Sequence, residues 1–533
     1  MYRWRICRRG LYRRVSKSAA TDAKPERVPA APVDEGKVVE HRQTDDCAST
    51  AAPPVPNRPF PGVEGVGEAV RERNGPDASI FRAYDIRGVV GKTLDAQTAH
   101  LLGQAIGSEA YECGQQTLMV ARDGRLSSDE LADALIKGLT ASGRDVVDIG
   151  RVPTPVLYFS TYFLNTGSGV MVTGSHNPPE YNGFKIMLGG EILFGDGIQK
   201  IRERVVSKDF REGNGQLRHM DISVDYIRQV TEDMPVALGW TLKLVVDCGN
   251  GVAGEVAPKL FRALGYDVSE LYCEIDGHFP NHHPDPSVLR NLQDLRSSVR
   301  QQGADLGIAL DGDGDRLGIV DNDGAVIWPD QLMMVYAKDV LSRHPGAPVV
   351  FDVKSTSRLQ TLIEEQGGKP VMDKTGHSFM RNKLKETQAP LAGELSGHIF
   401  FGERWYGFDD GMYAAARLLE ILMNRKIRPS ELFAEVPVGV NTPELRLDLP
   451  EGKHFTVMDV LLTRAGSMKA SKVYTFDGLR AQFEDGWGLV RASNTTPSLV
   501  FRFEADDKQA LVRIQDVFRD FVGGVLPRAK LPF

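Results

Sequence analysis

The sequence predicts an α/β protein in which three related α/β domains precede a smaller C-terminal α+β domain. Three observations carry that expectation. At 533 residues the chain is too long for a single core. From Asp77 onward, short β-branched runs alternate with longer helical patterns, the signature of βαβ units. Three apolar runs then end alike: LMVARDGR (118–125), LVVDCGNG (244–251) and VVFDVKSTS (349–357) each meet an Asp and then small or polar residues. Their spacings of about 126 and 105 residues fit three related domains rather than a short-period solenoid. After about residue 437 the texture shifts to a smaller mixed unit. The expected boundaries are 76–220, 221–325, 326–437 and 438–533, with 1–75 as an extension.

Residues 1–75 stand apart from this pattern. The opening MYRWRICRRGLYRRVSK holds seven basic and no acidic residues, and eight prolines follow between Pro25 and Pro61. Such a segment buries too little apolar surface to offset chain entropy, so disorder is expected. An Arg-rich, acid-poor start admits a transit peptide or a basic membrane-surface patch. It lacks the apolar stretch of a secretory signal, and an extension without catalytic role is the simpler expectation.

Composition excludes several function classes. A net charge of −7 argues against a general nucleic-acid binder. Five scattered cysteines form no C-x-x-C pair, so neither a disulfide framework nor a zinc site is indicated and a cytoplasmic setting fits. No run of about 18 apolar residues exists, so no membrane span is expected. The oligomeric state stays open, a monomer being compatible.

The first chemical element is VTGSHNPPEYNGFK (172–185). Gly174 allows a turn, Pro178 and Pro179 stiffen the exit, and the preceding apolar run places Ser175 just past a strand end. The second is LGIALDGDGDRLGIV (306–320). Asp311, Asp313 and Asp315 lie two apart between β-like runs, and three such carboxylates repel unless a cation neutralises them. Hard oxygen ligands favour Mg²⁺ or Ca²⁺. An EF-hand would need Gly and Glu where Arg316 and Asn322 stand, so that reading fails. A displayed serine, a cation site short of ligands, and Arg316 and Lys185 nearby together suggest a phosphorylated Ser175. Its phosphate oxygens could supply the missing ligand. A serine hydrolase would carry G-x-S-x-G, which TGSHNP is not. His176 is adjacent in sequence but is not assigned as a base.

Two further loops suit a phosphosugar. GELSGH (393–398) offers Glu394, Ser396 and His398, and a carboxylate accepts readily from vicinal sugar hydroxyls. RASNTTP (491–497) gathers Arg491, Ser493, Asn494 and Thr495, where an arginine fork and hydroxyls can grip phosphate.

FRAYDIRG (81–88), TGSHNPPEYNGFK, DGDGDR, KTGHS (374–378), GELSGH and RASNTTP together resemble, in order, the α-D-phosphohexomutase superfamily, most closely its bacterial phosphomannomutase/phosphoglucomutase branch. The resemblance runs from about residue 77 to the C-terminus. It implies four domains around a central cleft, with Ser175 as phosphoserine and Asp311, Asp313 and Asp315 as Mg²⁺ ligands together with Ser175. It also implies Glu394, Ser396 and His398 as sugar contacts, and Arg491, Ser493, Asn494 and Thr495 as a distal phosphate loop. Tyr84, Arg87, His176, Lys185, Arg316, Lys354 and His377 fall at positions lining the cleft, with Arg87 and Lys185 the better acid/base candidates. The implied reaction interconverts mannose or glucose 1-phosphate and 6-phosphate through a hexose 1,6-bisphosphate. Leu395 stands where glucosamine-directed members usually differ, which favours mannose and glucose. A phosphoglucosamine mutase, a phosphatase and a non-catalytic phosphosugar-binding protein are the rival readings.

Overall fold

The computed structural model describes residues 76–234, 241–450, 452–494 and 496–533; the expectations for residues 1–75 and for Thr495 lie outside the described residues. Four sheets follow one another along the chain. The first contains β1 (Ile86–Val89), β2 (Thr117–Arg122), β3 (Asp145–Arg151), β4 (Gly169–Val172), β5 (Tyr181–Leu188), β6 (Glu191–Ile192) and β7 (Leu217–His219). The second contains β8 (Lys243–Asp247), β9 (Asp267–Leu271), β10 (Leu306–Leu310), β11 (Leu317–Asp321) and β12 (Val326–Ile327). The third contains β13 (Pro348–Asp352), β14 (Lys369–Asp373), β15 (Leu391–Gly393) and β16 (Ile399–Phe401). The fourth is antiparallel and contains β17 (Val440–Asn441), β18 (Leu445–Asp448), β19 (Lys472–Tyr474), β20 (Leu479–Phe483), β21 (Gly486–Ala492) and β22 (Ser498–Ala505).

The first three sheets share one topological core. Each places four strands side by side: β3-β2-β4-β5, β9-β8-β10-β11 and β14-β13-β15-β16. In every case the first three are parallel and the fourth returns antiparallel to the third. The related domains expected from the three Asp-terminated runs are therefore present, and those runs are the equivalent strands β2, β8 and β13. The return hairpins β4–β5, β10–β11 and β15–β16 are also equivalent, and their loops hold residues 173–180, 311–316 and 394–398. Ser175, the three aspartates and the GELSGH triad thus occupy the same hairpin in three domains.

Burial explains why these strands read as continuous apolar runs. β4, β10, β11, β15 and β16 are buried at every residue, as strands covered on both faces must be. One face of the first sheet packs under helices Ala96–Glu112 and Ser128–Ala141, burying Leu102, Ile106, Leu135 and Leu139. Its other face joins a core that continues through Leu244, Val246 and Ile308 to Val349, Phe351 and Leu391. Burying one such side chain is worth about 1.5–3 kcal/mol. That continuous core holds the three hairpins in fixed relation.

The fourth sheet has its own core around Leu479, Phe501, Phe503 and Phe518. It meets the third domain through a small apolar cluster of Val353, Trp487 and Leu489 and through polar groups. Arg480 donates to the carbonyls of Val353 (2.6 Å) and Ser355 (2.9 Å), Arg502 pairs with Asp330 (3.0 Å) and donates to the Lys354 carbonyl, and Ser357 Oγ donates to Glu504 (2.9 Å). Arg480 is itself fully buried, with its guanidinium 3.8 Å from the Trp487 ring centre.

Candidate active site

Ser175 sits in the β4–β5 loop with φ of 47°, a left-handed backbone that a non-glycine residue adopts at some cost. The surroundings hold it there. Asp123 Oδ2, just past β2, accepts from Thr173 Oγ1 (2.7 Å) and from the Gly174 amide (3.0 Å). Arg125 is 3% exposed and donates to three carbonyls of the loop, Ser175 (2.7 Å), Asn177 (2.6 Å) and Pro178 (2.6 Å), and to that of Tyr181 at the start of β5 (3.0 Å). A Cβ on Gly174 would lie 2.3 Å from Arg125 Nε, so the glycine is needed to admit that guanidinium. Arg87, on β1, adds bonds to the Gly174 carbonyl and Asn177 Oδ1 (2.6 Å each) and pairs with Asp85 (2.5 Å).

The second hairpin brings its carboxylates against this loop. Asp311, Asp313 and Asp315 are all fully buried, with carboxylate oxygens within 4.8 Å of one another. Ser175 Oγ lies 3.1 Å from Asp311 Oδ2 and 3.1 Å from His176 Nδ1. The approach depends on Gly312, where a Cβ would come within 2.3 Å of the Ser175 carbonyl. Lys185, one strand over on β5, donates to Asp313 Oδ2 (2.6 Å) and to Asp315 Oδ2. Burial opposes its charge, but Asp313 and Asp315 outweigh burial and raise its pKa well above the ordinary lysine value. Asp311 is pushed up by burial and then by Asp315 and Asp313. Asp313 Oδ1 is buried and accepts no hydrogen bond among the described residues. A buried all-oxygen donor set, crowded with negative charge and holding an unused lone pair, fits a hard divalent cation.

The third hairpin faces both. Glu394 accepts from the Gly376 amide (2.5 Å) and Ser396 Oγ (2.6 Å), and meets His398 Nδ1 at 3.1 Å. Burial raises the Glu394 carboxyl, yet the bond from His398 prevails and holds it at about 2. His398 in turn is disfavoured as a cation by burial but lifted to about 10 by Asp315 and Glu394. Its Nε2 lies 3.3 Å from Asp315 Oδ1 and 3.3 Å from Arg316 Nε. His377 takes the opposite state: burial, then Lys185 and His398, lower it to about 3. Its ring packs edge-on against Tyr84, with centroids 5.2 Å apart.

The fourth domain closes the set. Arg491, on β21, is 6% exposed and aligned by Asp477 (3.1 Å). It lies within electrostatic reach of Tyr84, as do Arg316 and Glu394. Ser493 Oγ accepts from the Thr496 amide (3.2 Å), and Asn494 is half-buried on the same loop. Lys354 bridges to Glu444, just before β18 (2.8 Å).

Several residues of this site escaped the sequence reading. Asp123 and Arg125 lie in the ARDGR stretch already singled out as a strand end, and a charged pair directly after an apolar strand was their available signal. Asp477, Glu444 and Thr154, whose hydroxyl donates to Asp313 (2.6 Å), come from segments with no local signature. The assembly juxtaposes a displayed hydroxyl, a cation-ready carboxylate cluster, a polar triad suited to sugar hydroxyls and a distal arginine, which together suit phosphoryl transfer on a sugar.

Comparison with known proteins gives the family. Phosphoglucomutase/phosphomannomutase alpha/beta/alpha domains I, II and III match residues 78–212, 224–324 and 328–438, and the C-terminal domain of that family matches 444–521. A phosphomannomutase/phosphoglucomutase of Pseudomonas aeruginosa is 53% identical over 456 residues, covering 86% of this chain and 98% of the relative. A phosphoglucomutase of Neisseria meningitidis is 51% identical over 443 residues, covering 83% and 96%. The crystal structure of a phosphoglucomutase/phosphomannomutase family protein from Burkholderia thailandensis superimposes with a TM-score of 0.81 at 50% identity, covering 86% of this chain and all of that one. The chain belongs to the phosphoglucomutase/phosphomannomutase family.

Proposed function

We propose that Ser175 carries the phosphate in a reversible transfer between the 1- and 6-oxygens of a hexose phosphate. The chain is an intramolecular phosphotransferase of the phosphomannomutase/phosphoglucomutase kind, acting through a 1,6-bisphosphate intermediate. The observation that carries the assignment of Ser175 is its hydroxyl 3.1 Å from Asp311 on a loop pinned by Arg125 and Arg87.

In the forward direction a free hydroxyl of the bound sugar attacks the phosphorus of phospho-Ser175. The bond to Oγ breaks as the new P–O bond forms, and the sugar becomes the bisphosphate. Arg87 and Lys185 are positioned to stabilise the charge of the transferring group, and Lys185, whose partners Asp313 and Asp315 the cation would claim, is the candidate to move the hydroxyl proton. Asp311, Asp313 and Asp315, with a phosphoserine oxygen, would hold Mg²⁺, which when bound supplies positive charge to the transferring phosphoryl oxygens. Glu394 and Ser396 accept and donate to sugar hydroxyls, with His398 fixing the Glu394 carboxylate. Arg491, Ser493, Asn494 and Thr495 hold the phosphate that is not reacting, while Tyr84, His176, Arg316, Lys354 and His377 line the space between. The intermediate then turns end for end, and the other phosphate returns to Ser175.

No helix among the described residues is long and apolar enough to cross a membrane. A cytoplasmic setting belongs to the same proposal. The reading is tested by assaying mannose 1-phosphate, glucose 1-phosphate and glucosamine 1-phosphate side by side. Turnover of the first two is expected to dominate; a preference for the glucosamine compound would reassign the substrate.

A further inference from the structure

Two consecutive aspartates precede the helix Gly411–Arg425, and both are fully buried. Their surroundings differ. Asp410 caps the helix by accepting from the Tyr413 amide (2.9 Å), and it also accepts from the Tyr226 hydroxyl (2.9 Å) and from Trp405 Nε1 (3.2 Å). Asp409, whose backbone bridges to Phe400 of β16, accepts nothing: among the described residues neither of its carboxylate oxygens has a hydrogen-bond partner. A buried carboxylate left without donors is costly, so this one calls for a reason.

The donors around Asp409 are cations engaged elsewhere. His398 Nε2 lies 3.9 Å from Asp409 Oδ2 but closer, at 3.3 Å, to Asp315 Oδ1. Lys185 and Arg381 also act on the Asp409 charge. Arg381 Nη2 is held by the Tyr162 hydroxyl (2.7 Å), and its Nη1, itself without a hydrogen-bond partner, does not reach Asp409. Lys185 directs its ammonium at Asp313 (2.6 Å) and Asp315. Those two carboxylates belong to the proposed Mg²⁺ site, and an ammonium held on the same oxygens would repel the cation. Lys185 must then give them up while remaining buried, and Asp409 offers two unclaimed oxygens within its electrostatic reach.

We infer that Asp409 is a positioning residue for Lys185, the acceptor that receives its ammonium when the cation takes Asp313 and Asp315. The inference rests on the proposed Mg²⁺ site and on the proposed role of Lys185. The four-carbon stem of a lysine turns about several bonds, so Nζ can change partner while β5 stays in its sheet. With Asp409 as second acceptor the ammonium is paired in both states. Without it the displaced charge would be buried and bare, and Asp313 and Asp315 would keep it in competition with the cation. Cation loading and placement of the group that moves the proton thereby become one event.

Calorimetric titration of Mg²⁺ into the full-length chain tests this through a double-mutant cycle on Asp409→Asn and Lys185→Met. Loss of a charge-assisted hydrogen bond from the loaded state should weaken Mg²⁺ about 10–150-fold in Asp409→Asn. Lys185→Met should tighten Mg²⁺, because the competing ammonium is gone; unchanged affinity there overturns the inference. In the Lys185→Met background, Asp409→Asn should weaken Mg²⁺ by no more than about threefold, the remainder due to charge acting through space. An equal loss in both backgrounds means that Asp409 acts on the cation directly, and it overturns the inference. So does a lowered Tm with wild-type Mg²⁺ affinity in Asp409→Asn, the outcome if Asp409 only neutralises Arg381. Asp409→Ser repeats the cycle if Asp409→Asn folds poorly. Asp313→Asn separates the two possible failures. If it leaves Mg²⁺ binding intact, the proposed cation site is wrong and the hand-over falls with it; if it abolishes binding while the Asp409 effect ignores Lys185, the hand-over alone fails.

Discussion

The loop that carries Ser175 and the loop that carries Arg491 are built in opposite ways. The first is fixed from within its own domain: Arg125 alone bonds three of its carbonyls and that of Tyr181 at its exit, and Asp123 anchors its start. The second hangs from a sheet whose place depends on its neighbour, through Arg480, Arg502 and the Lys354–Glu444 pair. The difference fits the proposed chemistry. A reacting hydroxyl must be held to a fraction of an ångström, since small misplacements cost rate steeply. A group that grips the non-reacting phosphate needs charge and reach, and it can inherit its position from a domain interface.

Four measurements break or sharpen that contrast. Ser175→Ala should lower turnover by about 10³-fold or more, because nucleophile loss elsewhere costs up to ~10⁶-fold. A variant keeping more than about a tenth of the activity would sink the covalent route. Arg125→Met should come next, with kcat down about 100-fold and KM nearly unchanged, as expected for misplacement of the reacting group alone. If KM rises instead while kcat holds, the loop is not what Arg125 positions.

Arg491→Ala removes a charge-assisted contact worth about 1.5–3 kcal/mol, so kcat/KM should fall about 10–150-fold in both directions. Quenched-flow with labelled substrate should also find more bisphosphate escaping. An effect in one direction only would contradict the two-ended cleft.

The smallest effect belongs to Glu444→Gln, at most about fivefold in kcat/KM, the scale of a partly exposed ion pair. Burial raises the Glu444 carboxyl, but Lys354 prevails and holds it at about 2, against an ordinary 4.5. A depressed acid stabilises the fold above its unfolded pKa and loses that contribution on acidification. The difference in Tm between wild type and Glu444→Gln should thus be steady above about pH 5 and shrink as pH falls from 4.5 toward 2. A difference that widens on acidification would remove Lys354 as the partner.

Much of this was legible in the sequence, and for identifiable reasons. Strand ends marked by Asp123, Asp247 and Asp352 disclosed the repeated α/β unit, because a buried parallel strand is apolar until its carboxyl end meets the loop. Ser175, the three aspartates and Glu394–Ser396–His398 were readable because each group's chemistry is compressed into one short loop. Arg125, Asp477 and Glu444 were not. Each acts on residues supplied by distant segments, so its role exists only once the chain has folded. The emptiness required at Gly174 was visible as a glycine, but what fills that space was not.

The recurrence of one hairpin in three domains has a consequence for how this protein can change. On the proposed function, phosphate carriage, cation holding and sugar recognition are lodged at three copies of a single architectural address, each on its own stretch of chain. A substitution at Leu395 or Ser396 can therefore retune which sugar is accepted without rewriting the tip that bears Ser175 or the one that bears Asp313. On that reading, inheritance of a new substrate is confined to one tip, while the reaction itself is kept by the other two.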